Sequence, residues 1–132
     1  MLQSQSVANR SGASYRAAEA EIIRGIRLVS GLKATAAEQG WLAVECGDVS
    51  KAYWLSQQIR AENVASRCEG TRFFVPVGED FTLKGEIKNV ITVVAKTTHY
   101  WNEHMEASIK QVVAWERRMQ RLGMLVGRLW PR

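Results

Sequence analysis

Apolar residues recur along this chain in two rhythms, one helical and one alternating. Ile22, Ile26 and Val29 repeat at helical spacing with Ile23 beside them, which predicts a helix from Ser14 to Gln39. Ser14 is its expected cap, Glu19 and Glu21 suit the positive end of its dipole, and Gly40 is its expected stop. Gly25 and Gly31 count against that helix, because an interior glycine costs about 1 kcal/mol relative to alanine. Trp41 to Gly47 then alternates as a strand does: Leu42, Val44 and Cys46 share one face, and Trp41, Ala43 and Glu45 the other. Gly47-Asp48 ends the strand. Asp48 or Ser50 caps a helix over Ser50 to Glu62, in which Ala52, Leu55 and Ile59 fall on one face.

Beyond this helix the β-forming residues thicken. Thr71 to Val77 reads as a strand, confined by Pro76 to an edge or a bulge near its end. Gly78-Glu79-Asp80 turns the chain, Phe81 to Ile87 is a weaker strand, Lys88-Asn89 a hairpin turn, and Val90 to Lys96 a strand by its run of Val, Ile and Thr. Thr97 or Thr98 caps a final helix from His99 to Leu122, with Trp101, Met105, Ile109, Val112 and Met119 as its apolar stripe. Gly123 stops it, and Met124 to Trp130 is a last short strand. Residues 1–13 are polar and expected to be disordered. Residues 14–132 then form one α+β domain, a ferredoxin-like βαββαβ sandwich with an additional N-terminal helix over 14–39.

Composition narrows the setting. The 132 residues fit a single domain, and the longest apolar runs, such as Ile91 to Ala95, are too short to span a bilayer. Met1 to Gly12 lacks the apolar core of a secretory signal, so a cytoplasmic location is expected. The alternative is a mitochondrial presequence built on Arg10, Arg16, Arg24 and Arg27, which Glu19 and Glu21 interrupt. Two cysteines allow one disulfide, and without a secretory signal they are expected to be reduced. The net charge of +5 favours anionic partners, but basic and acidic residues are mixed along the chain. The densest basic cluster, Arg117, Arg118 and Arg121, reads first as a solvated helix face, with a nucleic-acid or phosphate contact as its rival.

Catalytic signatures are missing. There is no Gly-x-Ser-x-Gly elbow, phosphate-binding Walker loop or dinucleotide fingerprint, and neither cysteine lies in a nucleophile motif. Glu103, Glu106 and Lys110 make an ordinary surface charge pattern. His99 and His104 point about 140° apart on one helix, a poor arrangement for shared ligation. Arg72-Phe73-Phe74 is the nearest approach to a base-stacking platform but lacks the alternation of an RNA-recognition sheet, so nucleic-acid binding is an alternative and not the first reading. Trp101 is expected in the core; Trp54 and Trp115 fall beside their helical stripes, as subunit-interface residues would.

The strand Leu42-Ala43-Val44-Glu45-Cys46, the helix after it, the segment Val64-Ala65-Ser66-Arg67-Cys68, Phe81, and Ile91-Thr92-Val93-Val94-Ala95-Lys96-Thr97-Thr98 together resemble the CutA family, trimeric proteins linked to divalent-cation tolerance. The resemblance spans about residues 42–98. It implies a non-enzymatic homotrimer that senses a ligand or takes part in metal tolerance, with strand edges paired between subunits. It also implies copper or another divalent metal at Cys46 and Cys68; the competing reading makes both cysteines structural. The family's His-Pro-Tyr motif is replaced here by Val113-Ala114-Trp115, so only the cysteines carry over. Lys96 and Thr97 would lie near a subunit junction and meet an anion there, and Arg117 and Arg118 are further candidates for anion or interface contacts. A trimer resembling the PII nucleotide sensors is a related expectation, though phosphate-cradling glycines are not evident.

Overall fold

The computed structural model describes residues 12–105 and 107–126. The chain runs α1 (Ala13–Ser30), β1 (Lys33–Ala36), β2 (Trp41–Glu45), α2 (Val49–Ala61), β3 (Arg67–Glu69), β4 (Arg72–Pro76), a π-helical turn (Leu83–Ile87), α3 (Lys88–His104) and α4 (Ala107–Val126). The fold class is α+β. The four strands form one antiparallel sheet in the order β1-β2-β4-β3. Because β2 and β3 each run antiparallel to β4, they are parallel to one another, with α2 as the crossover between them.

One face of the sheet carries the core. Ala34, Leu42, Val44, Phe73 and Val75 lie on it and join Tyr15, Ile22 and Ile26 of α1, Leu55 and Ile59 of α2, and Val90, Val94 and Trp101 of α3 in one buried cluster. Fully burying a side chain of the Val, Leu, Ile or Phe kind stabilises by about 1.5–3 kcal/mol, so this face dominates the fold's energetics. The helices are neighbours in the order α1, α3, α2, α4. On the opposite face Phe74 is buried under arginines: the Arg67 guanidinium lies 4.0 Å and that of Arg72 5.5 Å from its ring centre. Arg67 also covers Trp41 and pairs with Glu38.

The expected βαββαβ order is not followed along the chain. The helix expected over 14–39 ends at Ser30, because Gly31 takes a left-handed φ of 73° and donates its N–H to the Arg27 carbonyl. That cap frees Lys33–Ala36 to pair with β2. Phe81 to Ile87 is not a strand. The Thr82 N–H donates to Glu86 Oε1 (2.8 Å) and the Ile87 N–H to the Thr82 carbonyl (3.2 Å), which winds a π turn into α3.

Val90 to Lys96 is helical although rich in β-branched residues. Val90, Val93, Val94, Thr97, Thr98 and Trp101 form one buried stripe at spacings of three and four, and burying that stripe outweighs the small propensity penalty. Thr97 and Thr98 therefore sit inside the helix and do not cap it; their hydroxyls donate to the Val93 and Val94 carbonyls at 2.8 and 2.6 Å. The final helix is divided at Met105, where the backbone is extended (φ −83°, ψ 119°). The break rephases the stripe: Val113 is buried, whereas Val112, Trp115 and Met119 are exposed. Residues 124–126, expected to open a strand, continue α4, and the rest of that strand, like the polar stretch of residues 1–11, lies outside the described residues.

Candidate ligand cleft between the second and third helices

α2 presents three stripes at helical spacing. Ala52, Leu55 and Ile59 face the core. Trp54, Gln58 and Glu62 border α3, and Val49, Tyr53 and Gln57 lie on the side towards α4. Asp48 starts the helix as one of the two caps anticipated, accepting the Lys51 N–H at 2.9 Å. Where the second stripe meets Lys96, Thr97 and Tyr100 of α3, with Met105 at the helix end, a cleft of about 350 Å³ opens.

One wall of the cleft is aromatic. Trp54 and Tyr100 stack with ring centres 5.8 Å apart and planes 13° from parallel, and Trp54 also leans on the buried Trp101 at 5.4 Å. His104 packs against Tyr100, and His99 against His104 at 5.6 Å, so the two imidazoles meet despite their spacing. They do so where α3 gives way to the extended Met105. The charged part of the cleft is the pair Lys96 Nζ–Glu62 Oε1 at 2.6 Å. With side-chain exposures of 64% and 38%, the pair contributes no more than about 1 kcal/mol to stability. It is therefore exchangeable: an incoming anion can take the Lys96 ammonium from Glu62 at little cost. Thr97 is buried and commits its hydroxyl proton to the helix backbone.

The cysteines do not fit a copper site. Cys46 follows β2 and donates its S–H to the Thr71 carbonyl at 3.2 Å, and burial pushes its thiol up to about 11 from 9.0. A soft metal needs the thiolate, which burial here disfavours. Cys68 lies on β3 and borders a separate cavity. Both thiols are free, and among the described residues no three His, Cys, Asp or Glu side chains come close enough to share an ion. The neighbouring Arg117 and Arg118 are divided by the helical rotation between them: Arg117 is half-buried and lines the cavity of Cys68, and Arg118 is exposed. No described helix is long and apolar enough to cross a membrane.

Sequence reasoning reached Lys96 and Thr97 but placed Lys96 at the end of a strand and Thr97 at the cap of the helix after it; the fold brings both to the cleft from within one helix. It missed Gln58, Glu62, Tyr100 and Met105 as site residues. The spacing of Trp54, Gln58 and Glu62 is visible in the sequence as a second stripe on α2, but what faces it depends on the α2–α3 packing. No protein-family model matches the chain, and no curated protein is significantly similar to it.

Proposed function

We propose that this chain is a non-enzymatic, self-associating protein that senses a small aromatic anion in the Lys96 cleft. The observation that carries the reading is the juxtaposition of the Trp54–Tyr100 stack with the exchangeable Lys96–Glu62 pair. A flat ring packs on the exposed side of Tyr100, which is 51% accessible, and its anionic group replaces Glu62 on Lys96. The cleft pairs Lys96 and Glu62 with each other and ties the Thr97 hydroxyl to the backbone, an arrangement suited to binding and not to nucleophilic or acid–base chemistry.

The sheet supports a ferredoxin-like architecture with a shifted start. The unit β2-α2-β3, with β4 inserted antiparallel between its strands, is half of that fold, and α1-β1 supplies the second helix–strand unit from the N-terminal side. Of what the CutA resemblance implies, ligand sensing and self-association belong to this proposal and copper does not. Self-association is supported by α4, whose Val112, Trp115 and Met119 form an exposed apolar stripe.

Calorimetric titration with adenosine monophosphate as the aromatic-anion probe tests the reading on wild type, Lys96→Ala and Tyr100→Ala. Saturable binding weakened about 10- to 100-fold in Lys96→Ala is expected. The variant's thermal stability should stay close to wild type, since the pair it breaks lies on the surface. Absence of binding, or equal binding by all three proteins, sinks the proposed site. Light scattering tests the assembly: a monomer at every concentration removes self-association.

A further inference from the structure

The Lys96 cleft has two ends, and the helices fix how far apart they lie. At one end Trp54 and Tyr100 stack with ring centres 5.8 Å apart. At the other Lys96 Nζ meets Glu62 Oε1 at 2.6 Å. Lys96 and Tyr100 are one turn apart on α3, about 6 Å along its axis, and Trp54 and Glu62 are two turns apart on α2, about 12 Å. A ring stacked on Tyr100 therefore lies between one and two helical turns from the anion position. An aromatic carboxylate carries its charge one bond from the ring and does not reach both ends. A ligand that fills both needs a spacer.

The wall between the ends selects that spacer. Gln58 stands one turn from Trp54 and one turn from Glu62 on the same stripe of α2, and it lines the cleft half-buried. Its amide offers two donors and a carbonyl acceptor. Among the described residues no side-chain hydrogen bond engages it. Thr97, on the α3 side, donates its hydroxyl proton to the Val93 carbonyl. An apolar spacer would strip water from the Gln58 amide without replacing it, whereas a hydroxylated one supplies the lost partners.

We infer that the cleft takes a ligand in three parts, a flat ring, a hydroxylated spacer and a terminal anion, as in a nucleoside 5′-monophosphate, and that Gln58 is the residue that reads the spacer. The inference rests on the reading of the cleft proposed above and narrows its ligand class. In such a monophosphate six bonds of about 1.5 Å join the ring nitrogen to phosphorus, folded by the sugar to a span of roughly 6 Å, which matches the shorter separation. The cleft volume of about 350 Å³ falls within the usual range for small-molecule pockets.

Calorimetric titration of the full chain compares four probes: adenosine monophosphate, its 2′,3′-dideoxy analogue, benzoate and ribose 5-phosphate. Adenosine monophosphate is expected to bind tightest. The dideoxy analogue should bind about 3- to 10-fold more weakly, and benzoate and ribose 5-phosphate more than about 10-fold more weakly. Gln58→Leu should weaken adenosine monophosphate by the same 3- to 10-fold or so, yet leave the dideoxy analogue within about twofold of its wild-type affinity, because the contact is already gone. The comparison holds even where Gln58→Leu alters stability, since both ligands report on the same folded variant. If none of the four probes binds, the cleft reading falls and this inference with it. If benzoate binds as tightly as adenosine monophosphate and Lys96→Ala weakens both, the cleft reading stands and the three-part ligand is overturned. Equal binding of the two adenosine nucleotides, or an equal loss of both in Gln58→Leu, overturns the role of Gln58.

Discussion

Gly25 lies buried at the centre of α1 where α3 crosses it, and replacing it with alanine sets two effects of similar size against each other. Alanine favours an interior helical position over glycine by about 0.8–1.0 kcal/mol. A Cβ at Gly25, however, would lie 2.2 Å from Ile91 Cδ1, 2.8 Å from Cγ1 and 3.3 Å from Cγ2. The first contact is with the end of a side chain and is relieved by rotation. The other two involve the branch atoms of a stiff β-branched residue, so rotation alone does not clear them. Overpacking of this kind costs about 1–3 kcal/mol. Gly25→Ala is therefore expected to destabilise by about 1 kcal/mol, despite the gain in helix propensity. Ile91→Val removes the nearest atom at its own cost of about 0.5–1.5 kcal/mol. Valine keeps Cγ1 and Cγ2, so in that background the alanine should cost less than in wild type without reaching the full propensity gain, giving a coupling between the two sites of under about 1 kcal/mol. Urea unfolding followed by tryptophan fluorescence on the four proteins of the cycle measures it. A Gly25→Ala variant stabilised by the full propensity gain, additive with Ile91→Val, would show that α1 and α3 do not meet as described. Because α3 carries Lys96, Thr97 and Tyr100, a displacement of α3 by Gly25→Ala should also weaken ligand binding in the cleft, and Ile91→Val should restore part of it.

Other consequences are simpler to read. The buried Tyr15 hydroxyl accepts the Gly40 N–H at 2.9 Å, so Tyr15→Phe leaves that amide unpaired and should cost about 1–3 kcal/mol, with faster hydrogen exchange at Gly40. Burial keeps the Cys46 thiol neutral up to about pH 11, whereas in the unfolded chain it ionises from about pH 9. Its contribution to stability is thus complete below pH 9 and is lost as pH rises from 9 towards 11; solvent screening at this half-buried group keeps the loss below about 2 kcal/mol. Urea midpoints measured across that range should fall less steeply in Cys46→Ala than in wild type; parallel slopes would refute the assignment.

The parts of the fold that could be read from the sequence are those where composition and periodicity agree. Trp41–Glu45 alternates and is β-rich, Ala52, Leu55 and Ile59 repeat helically after an aspartate cap, and Phe73 and Val75 lie on the buried face of a short strand. Where the two signals disagreed, composition misled. The β-branched run at Val90–Val94 reads as a strand, yet continuing the count through Thr97, Thr98 and Trp101 reveals a helical stripe. Lys33–Ala36 gives almost no signal, since Ala34 alone is buried and the strand exists because β2 is available to pair. The cleft was half legible for a related reason. Lys96 and Thr97 stand out, but their partners Trp54 and Glu62 come from a distant helix, and only tertiary packing joins them. Arg117 and Arg118 look alike in sequence, and only the docking of α4 on α2 separates the half-buried one from the exposed one.

The strand order has a kinetic consequence. β1 and β2 are joined through residues 37–40, and β3 and β4 through Gly70-Thr71, where Gly70 has a φ of 60°. The sheet is thus two local hairpins joined along a single seam, with Trp41 opposite Pro76, Ala43 opposite Phe74 and Glu45 opposite Arg72. Hairpins form in about 1–10 μs, whereas the seam must wait until the whole of α2 and β3 has been drawn in between. Folding speed therefore depends on that one join. Substitutions along it should slow refolding, and those at the hairpin turns should act mainly on unfolding.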